Sequence, residues 1–116
     1  VSRPAFAYKV LTSDEAAELQ QGTFAGSAVD RTDGYIHLSA ADQLTGTVDR
    51  HFAGQQDLWL ACVDLTALGE AVRWEESRGG ALFPHLYASL PLGAVVALAP
   101  LERAADGRVK APFPDE

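Results

Sequence analysis

The run Asp57 to Leu65 (DLWLACVDL) constrains this chain more than any other segment. It is short and apolar on both faces, with none of the alternation of a half-exposed strand, so it reads as a central strand covered on both sides. Ala94 to Leu101 has the same character and is expected to lie centrally too. A strand buried on both faces needs a layer above and a layer below. A chain of 116 residues that is 47% apolar can supply both within one domain and without covalent staples.

Local signals place the covering elements. Ala5 to Leu11 mixes aromatic, β-branched and small residues and predicts a strand. Thr12 and Glu15 form a capping box that starts a helix, and Gly22 ends it. Gly26 to Gly34 has the Asp-rich, Gly-rich chemistry of a surface loop. It delivers the chain into Tyr35-Ile36-His37-Leu38-Ser39, an alternating strand that turns Tyr35, His37 and Ser39 to one face. Ser39 and Asp42 stand at capping-box spacing before a second helix, which buries Leu44, Val48 and Phe52 and closes at Gly54. Val72 to Glu75 and His85 to Ser89 read as shorter strands, joined by a flexible Gly79-Gly80 loop. Pro112 to Glu116 reads as a loose acidic tail. The expected class is α+β: one domain over residues 1–116, a sheet core with two helices near the N-terminus.

Lysine and arginine total 9 against 16 acids, so the net charge is -7 and duplex nucleic acid is repelled on average. Cys62 is the one cysteine, which excludes an internal disulfide. In its apolar run it reads as a small buried hydrophobe, suited to a reducing cytoplasm. The sequence opens with no basic segment leading into an apolar one, and no apolar run approaches the roughly 20 residues that span a bilayer. A cytoplasmic protein with no membrane partner is expected.

The densest polar cluster is Arg73-Trp74-Glu75-Glu76-Ser77-Arg78-Gly79-Gly80. Period two sets Arg73 and Glu75 on one face, either as an ion pair flanking a buried Trp74 or as part of a ligand site. In the second reading Arg73 and Arg78 are bidentate forks for phosphate or carboxylate, and the glycines let the backbone approach the ligand. Phe83-Pro84-His85-Leu86-Tyr87 follows at once, and alternation brings His85 together with Tyr87. A titratable ring beside a phenol suits a small-molecule pocket. His37, Glu75 and His85 are therefore the candidate catalytic groups, and Ser39, Arg73, Arg78, Phe83 and Tyr87 the candidate ligand contacts. Ser39 fits a helix cap better than a nucleophile, since no base is assigned to it. His51 falls close to the apolar stripe of its helix, where a hydrogen-bonded, partly buried ring is the commoner outcome. With no His-x-x-x-His or Cys-x-x-Cys spacing, no metal site is expected.

Three blocks, GSAVDRTDGYIHLSAADQ, VRWEESRGGALFPHLY and LPLGAVVALAPL, together resemble the bacterial domain-of-unknown-function family 952, from about Tyr8 to Pro114. The strings D-x-x-D-G-[FY]-I-H-L-S and R-W-E-x-S-R-G-G-x-x-F-P-H-L-Y are long, ordered and correctly spaced. The resemblance implies a fold grouped with the ADP-ribosyltransferases, a split mixed sheet around a nucleotide-binding cleft, and no established activity. Tyr35 to Ser39 also resembles the His-Val-His-Leu-Ser-type segment of the RNA 2'-phosphotransferases, which implies NAD as a candidate cofactor. The chain departs from the transferase pattern at two places. Its first strand offers Tyr8 and Lys9 in place of an arginine or histidine, and His85-Leu86-Tyr87 stands at the late acid unless Glu75 substitutes.

The leading expectation is an enzyme, or a former one, that takes a nucleotide-like or phosphorylated small molecule in a cleft lined by His37 and the Arg73 to Tyr87 segment. Arg73 and Arg78 would hold the pyrophosphate, His37 and Tyr87 the ribose and base, Glu75 a developing oxocarbenium charge, and His85 a proton in transfer. A non-catalytic metabolite-binding module would use the same residues. An interaction surface of a regulatory pair would instead expose Trp74 and Phe83 as one apolar patch.

Overall fold

The first apolar run is the middle of the molecule. In the computed structural model, which describes residues 4–111, the strand β4 (Trp59–Asp64) lies between β1 (Phe6–Leu11) and β8 (Val95–Pro100), antiparallel to both. Its alternate side chains enter two separate cores. Ala61 and Val63 join Ala7 and Leu11 of β1 on one side, under the helix α1 (Ser13–Gln20) and the rest of the fold. Leu60 and Cys62 join Tyr8 and Val10 on the other, under the helix α3 (Leu44–His51) and Val109. This double covering is what an unalternating apolar strand requires.

Ala94 to Leu101 is a strand as expected, but its placement corrects the reading of its sequence: β8 is the edge of the sheet, and Val96 is 52% exposed. An edge strand with one covered face keeps the apolar composition of a central one, because small residues such as Ala97 and Ala99 carry no facial signal.

The remaining strands form two further antiparallel sheets. The strands β2 (Thr23–Phe24) and β7 (Leu90–Pro91) pair as a short ribbon, and β3 (Ile36–His37), β6 (Leu82–Leu86) and β5 (Val72–Glu76) form a three-stranded sheet in the order β3-β6-β5. The helix α4 (Leu65–Leu68) follows β4 directly. The sheet is thus split, as expected, but every pairing between these strands is antiparallel, so it is not a mixed sheet. The three-stranded sheets meet where Tyr8 and Ser39 exchange backbone hydrogen bonds of 2.7 and 2.9 Å.

Three helices, not two, precede β4. The Thr12–Glu15 capping box starts α1 as its sequence indicates. Gly26 to Gly34, expected as a loop, holds the helix α2 (Ala28–Asp33), which is made by its ends: Ser27 and Asp30 cap the start, and Gly34 at φ 90° turns the chain at its close. Six residues lie below the length at which periodicity is legible. Ser39 is not the cap of the next helix. Its hydroxyl is bonded to Thr47 at 2.8 Å, while Gln43 reaches back to the Ala40 N–H at the start of a 3-10 turn, Ala41–Gln43, that leads into α3. His51 is exposed at the end of α3, not partly buried against its stripe. The strand expected over His85 to Ser89 starts earlier, at Leu82, and ends at Leu86. The acidic tail, Pro112 to Glu116, lies outside the described residues.

One charged pair is sealed inside. Lys9 projects from the same side of β1 as Ala7 and Leu11, and its Nζ lies 3.0 Å from Oδ2 of Asp30; the two residues are 6% and 2% exposed. The Asp30 carboxylate also accepts the Ser27 and His37 N–H groups, at 2.9 and 3.1 Å, and contacts the Nδ1 of His37. Burial by itself would raise the Asp30 carboxyl, but the hydrogen bond from His37, the charge of Lys9 and the Ser27 N–H overcome it and hold the group well below the carboxylate range.

Two outcomes follow for stability. Phe24 is wholly buried, and its replacement by alanine is expected to cost about 3–5 kcal/mol in a denaturant titration, against less than about 0.5 kcal/mol for Val96→Ala at the open edge. Asp30→Asn strands the buried Lys9 charge and is expected to cost about 3–5 kcal/mol. Because the folded carboxyl binds its proton more weakly than the unfolded one, the contribution of Asp30 is complete above the ordinary value of 3.8 and is lost as pH falls below it. Denaturation midpoints measured between neutral pH and strong acid should therefore fall more steeply for the parent than for Asp30→Asn.

Candidate functional site

Strand register builds a row of polar side chains across the β3-β6-β5 sheet. His85 on β6 stands directly opposite His37 on β3 and Arg73 on β5. Glu75 is opposite Phe83, one period along, so Arg73, Glu75, Phe83, His85 and His37 share a face. Tyr35 and Tyr87, just beyond their strands, complete it. The rings of Tyr35 and His85 are stacked at 4.0 Å, the rings of His37 and His85 stand edge to face at 5.7 Å, and Tyr35 lies 5.2 Å from Tyr87. The Arg73 guanidinium sits over the Tyr87 ring at 5.0 Å.

Hydrogen bonds fix the orientation of both histidines. The Oε1 atom of Glu75 faces the His85 Nδ1 at 2.8 Å and accepts the Tyr87 hydroxyl at 2.7 Å. These hydrogen bonds, from Tyr87 first and then His85, hold the Glu75 carboxyl below its ordinary value, and the same carboxylate pushes the Tyr87 phenol up. The Tyr35 phenol is raised as well, by burial and then by the charges of Asp33, Glu75 and Asp30. His37 is held at both nitrogens: its Nδ1 faces Asp30, and its Nε2 faces Asp33 Oδ2 at 2.9 Å. His85 is sealed almost completely, at 2% exposure, whereas Tyr87 is 41% exposed.

Of the residues singled out in the sequence, the fold brings His37, Arg73, Glu75, Phe83, His85 and Tyr87 together, with Phe83 buried at the floor. Ser39 is turned away, occupied by Thr47 and by the bridge to Tyr8. The backbone of Arg78 belongs to the turn between β5 and β6, and its side chain lies outside the described part of the structure. Trp74 faces the other way and packs on the core, so Trp74 and Phe83 do not form an exposed patch. Two hollows of about 210 and 270 Å³ lie elsewhere, the first beside Tyr8, Leu60 and Cys62 and the second beside Phe52, Gln55 and Leu101. Neither is lined by the histidines.

Three participants escape a reading by strand alternation, Asp33, Asp30 and Lys9, whereas Tyr35 is set on the His37 face by alternation but carries no site signal of its own. The two acids lie within the string D-x-x-D-G-[FY]-I-H, where their spacing of three sets them on one side of a short helix and both reach His37. Lys9 carries no local signal, since only the tertiary fold brings its strand against α2. Among the described residues no three histidine, cysteine or acidic side chains are disposed to hold a metal ion. None of the helices there is long and apolar enough to cross a membrane.

The same architecture occurs in protein CC0527 from Caulobacter crescentus. Its crystal structure is 46% identical in sequence, with a TM-score of 0.82 over 90% of this chain and 93% of that one. Its solution NMR structure gives 47% identity and a TM-score of 0.77, covering 90% of each chain. The comparison with curated proteins gave no match. The family model described as "Protein of unknown function (DUF952)" matches residues 10–98, a span that holds α2, both histidine strands and Lys9's partner Asp30, and the chain belongs to that family.

Proposed function

We propose that the histidine face binds a small phosphorylated ligand of nucleotide type, in the manner of NAD or ADP-ribose, within a fold of the ADP-ribosyltransferase kind. The observation that carries this reading is the convergence of two carboxylate-anchored imidazoles, two phenols and the Arg73 guanidinium from three strands onto one surface. Such a surface offers flat rings for a base, oriented donors and acceptors for a ribose, and a planar cation for phosphate. Arg73 is the phosphate contact and Arg78 its partner on the adjoining turn. Tyr87, the most open ring, stacks on the ligand. Glu75, whose Oε1 is anchored by two donors, directs its remaining acceptor capacity at ligand hydroxyls or at positive charge developing on a ribose carbon. His85 moves the proton.

Thermal denaturation in the presence of NAD, ADP-ribose and mononucleotides tests the reading. A ligand at 100 times its dissociation constant is expected to stabilise the fold by about 2.7 kcal/mol. Arg73→Ala is expected to weaken that binding by about 1.5 to 3 kcal/mol, roughly tenfold to more than a hundredfold, with the melting temperature of the ligand-free protein unchanged. A variant that melts earlier yet binds as tightly as the parent would reduce Arg73 to a structural counter-ion of Glu75 and remove the phosphate contact from the proposal.

A further inference from the structure

The two histidines are alike at Nδ1 and unlike at Nε2. Each presents Nδ1 to a carboxylate, Glu75 for His85 and Asp30 for His37. Beyond that the patterns diverge. His37 has a second carboxylate, Asp33, at its Nε2, an arrangement in which both nitrogens act as donors. His85 has no hydrogen-bond partner at Nε2 among the described residues, and no buried side-chain nitrogen or oxygen among them is left without one, so the small part of this 2%-exposed residue that reaches the surface includes that atom. With Nδ1–H directed at Glu75, the unbonded Nε2 of His85 is a lone-pair acceptor. An acceptor nitrogen and a donor nitrogen on rings 5.7 Å apart are the two halves of an acid–base pair.

We propose that His85 as base and His37 as acid hydrolyse a phosphodiester, specifically a nucleoside 2',3'-cyclic phosphate; this rests on the reading above that the face takes a phosphorylated nucleotide. Water adds to phosphorus as the bond from phosphorus to O2' breaks. The water proton passes to Nε2 of His85, and the Nε2 proton of His37 passes to O2', leaving a nucleoside 3'-phosphate. No electrons are exchanged and water is the only co-reactant. Asp33, half-exposed at the end of α2, releases His37 Nε2 to the leaving oxygen. Arg73, in register with His85, faces the charge that grows on the non-bridging oxygens. Charge selects the class of ester. Asp33 and Glu75 flank the pair in a chain of net charge -7, which favours a substrate with one negative charge over a dianionic monoester and expels the dianionic product.

The test uses the whole chain with adenosine 2',3'-cyclic phosphate, and the product is identified chromatographically. The parent is expected to form adenosine 3'-phosphate, and His85→Gln and His37→Gln are each expected to lower kcat by about a hundredfold or more with KM within a few-fold of the parent. His85 is buried, so circular dichroism and melting are recorded for both variants. Nitrogen-15 NMR of the parent's imidazoles gives a readout that needs no variant to fold: His85 Nε2 without a proton and His37 Nε2 with one. Binding of the cyclic nucleotide without hydrolysis overturns the acid–base assignment and leaves the binding site standing. No stabilisation by the cyclic nucleotide, NAD or ADP-ribose removes both. Undiminished hydrolysis in either folded variant, or a proton found on His85 Nε2, also overturns it.

Discussion

The place of His37 on the histidine face depends on where the Asp30 carboxylate sits. It closes the cap of α2 through the Ser27 N–H, receives the Lys9 ammonium from the central sheet, and holds His37 by backbone and ring. A buried ion pair of this kind adds little net stability, because desolvating two charges offsets most of their attraction. Its effect is on uniqueness. A displaced α2 would leave Lys9 charged and unpaired in an apolar core, so the alternatives to the native placement are strongly disfavoured. Positioning of His37 is therefore linked to the packing of β1, a strand that carries none of the other groups on the face.

The second histidine is held by local means. β5 and β6 form a hairpin whose turn uses Gly79 and Gly80 at φ 64° and 79°, a backbone that other residues adopt only with strain. The turn fixes the register that sets Arg73 opposite His85 and Glu75 opposite Phe83. Slippage by one residue would exchange this face for the one that carries Trp74 and Leu86 into the core, so burial of those side chains keeps Glu75 beside His85. Hydrophobic packing on one side of the sheet thereby sets the polar geometry on the other.

Legibility in the sequence follows the range of the interaction. β4 is readable because both of its faces are apolar, and the site strands are readable because alternation reports which side chains travel together. β8 misleads, since an edge strand of valines and alanines has the composition of a central one and exposure is a property of its neighbours. α2 is hidden by its length and by residues that favour turns, although its Ser27-x-x-Asp30 cap is a local sign of a helix start. Ser39 has the spacing of a cap, yet its backbone is claimed by the bridge to Tyr8, which takes it out of helical register. Lys9 is invisible for the plainest reason: only the fold supplies its counter-ion.

The same distinction separates what the two carboxylates do for their histidines. Asp30 is fully enclosed and accepts four groups, so its hydrogen bond to His37 is fixed by interactions that no ligand can disturb. Glu75 is held at the surface by a phenol and an imidazole, and a ligand reaching Tyr87 competes for the same oxygen. A ligand of the proposed kind that drew Tyr87 away would therefore alter the hydrogen bond that orients His85 while leaving the Asp30 bond to His37 in place. One ring is thus anchored by a sealed carboxylate and the other by a half-exposed one, an asymmetry that the proposed ligand site would use to couple recognition at Tyr87 to His85.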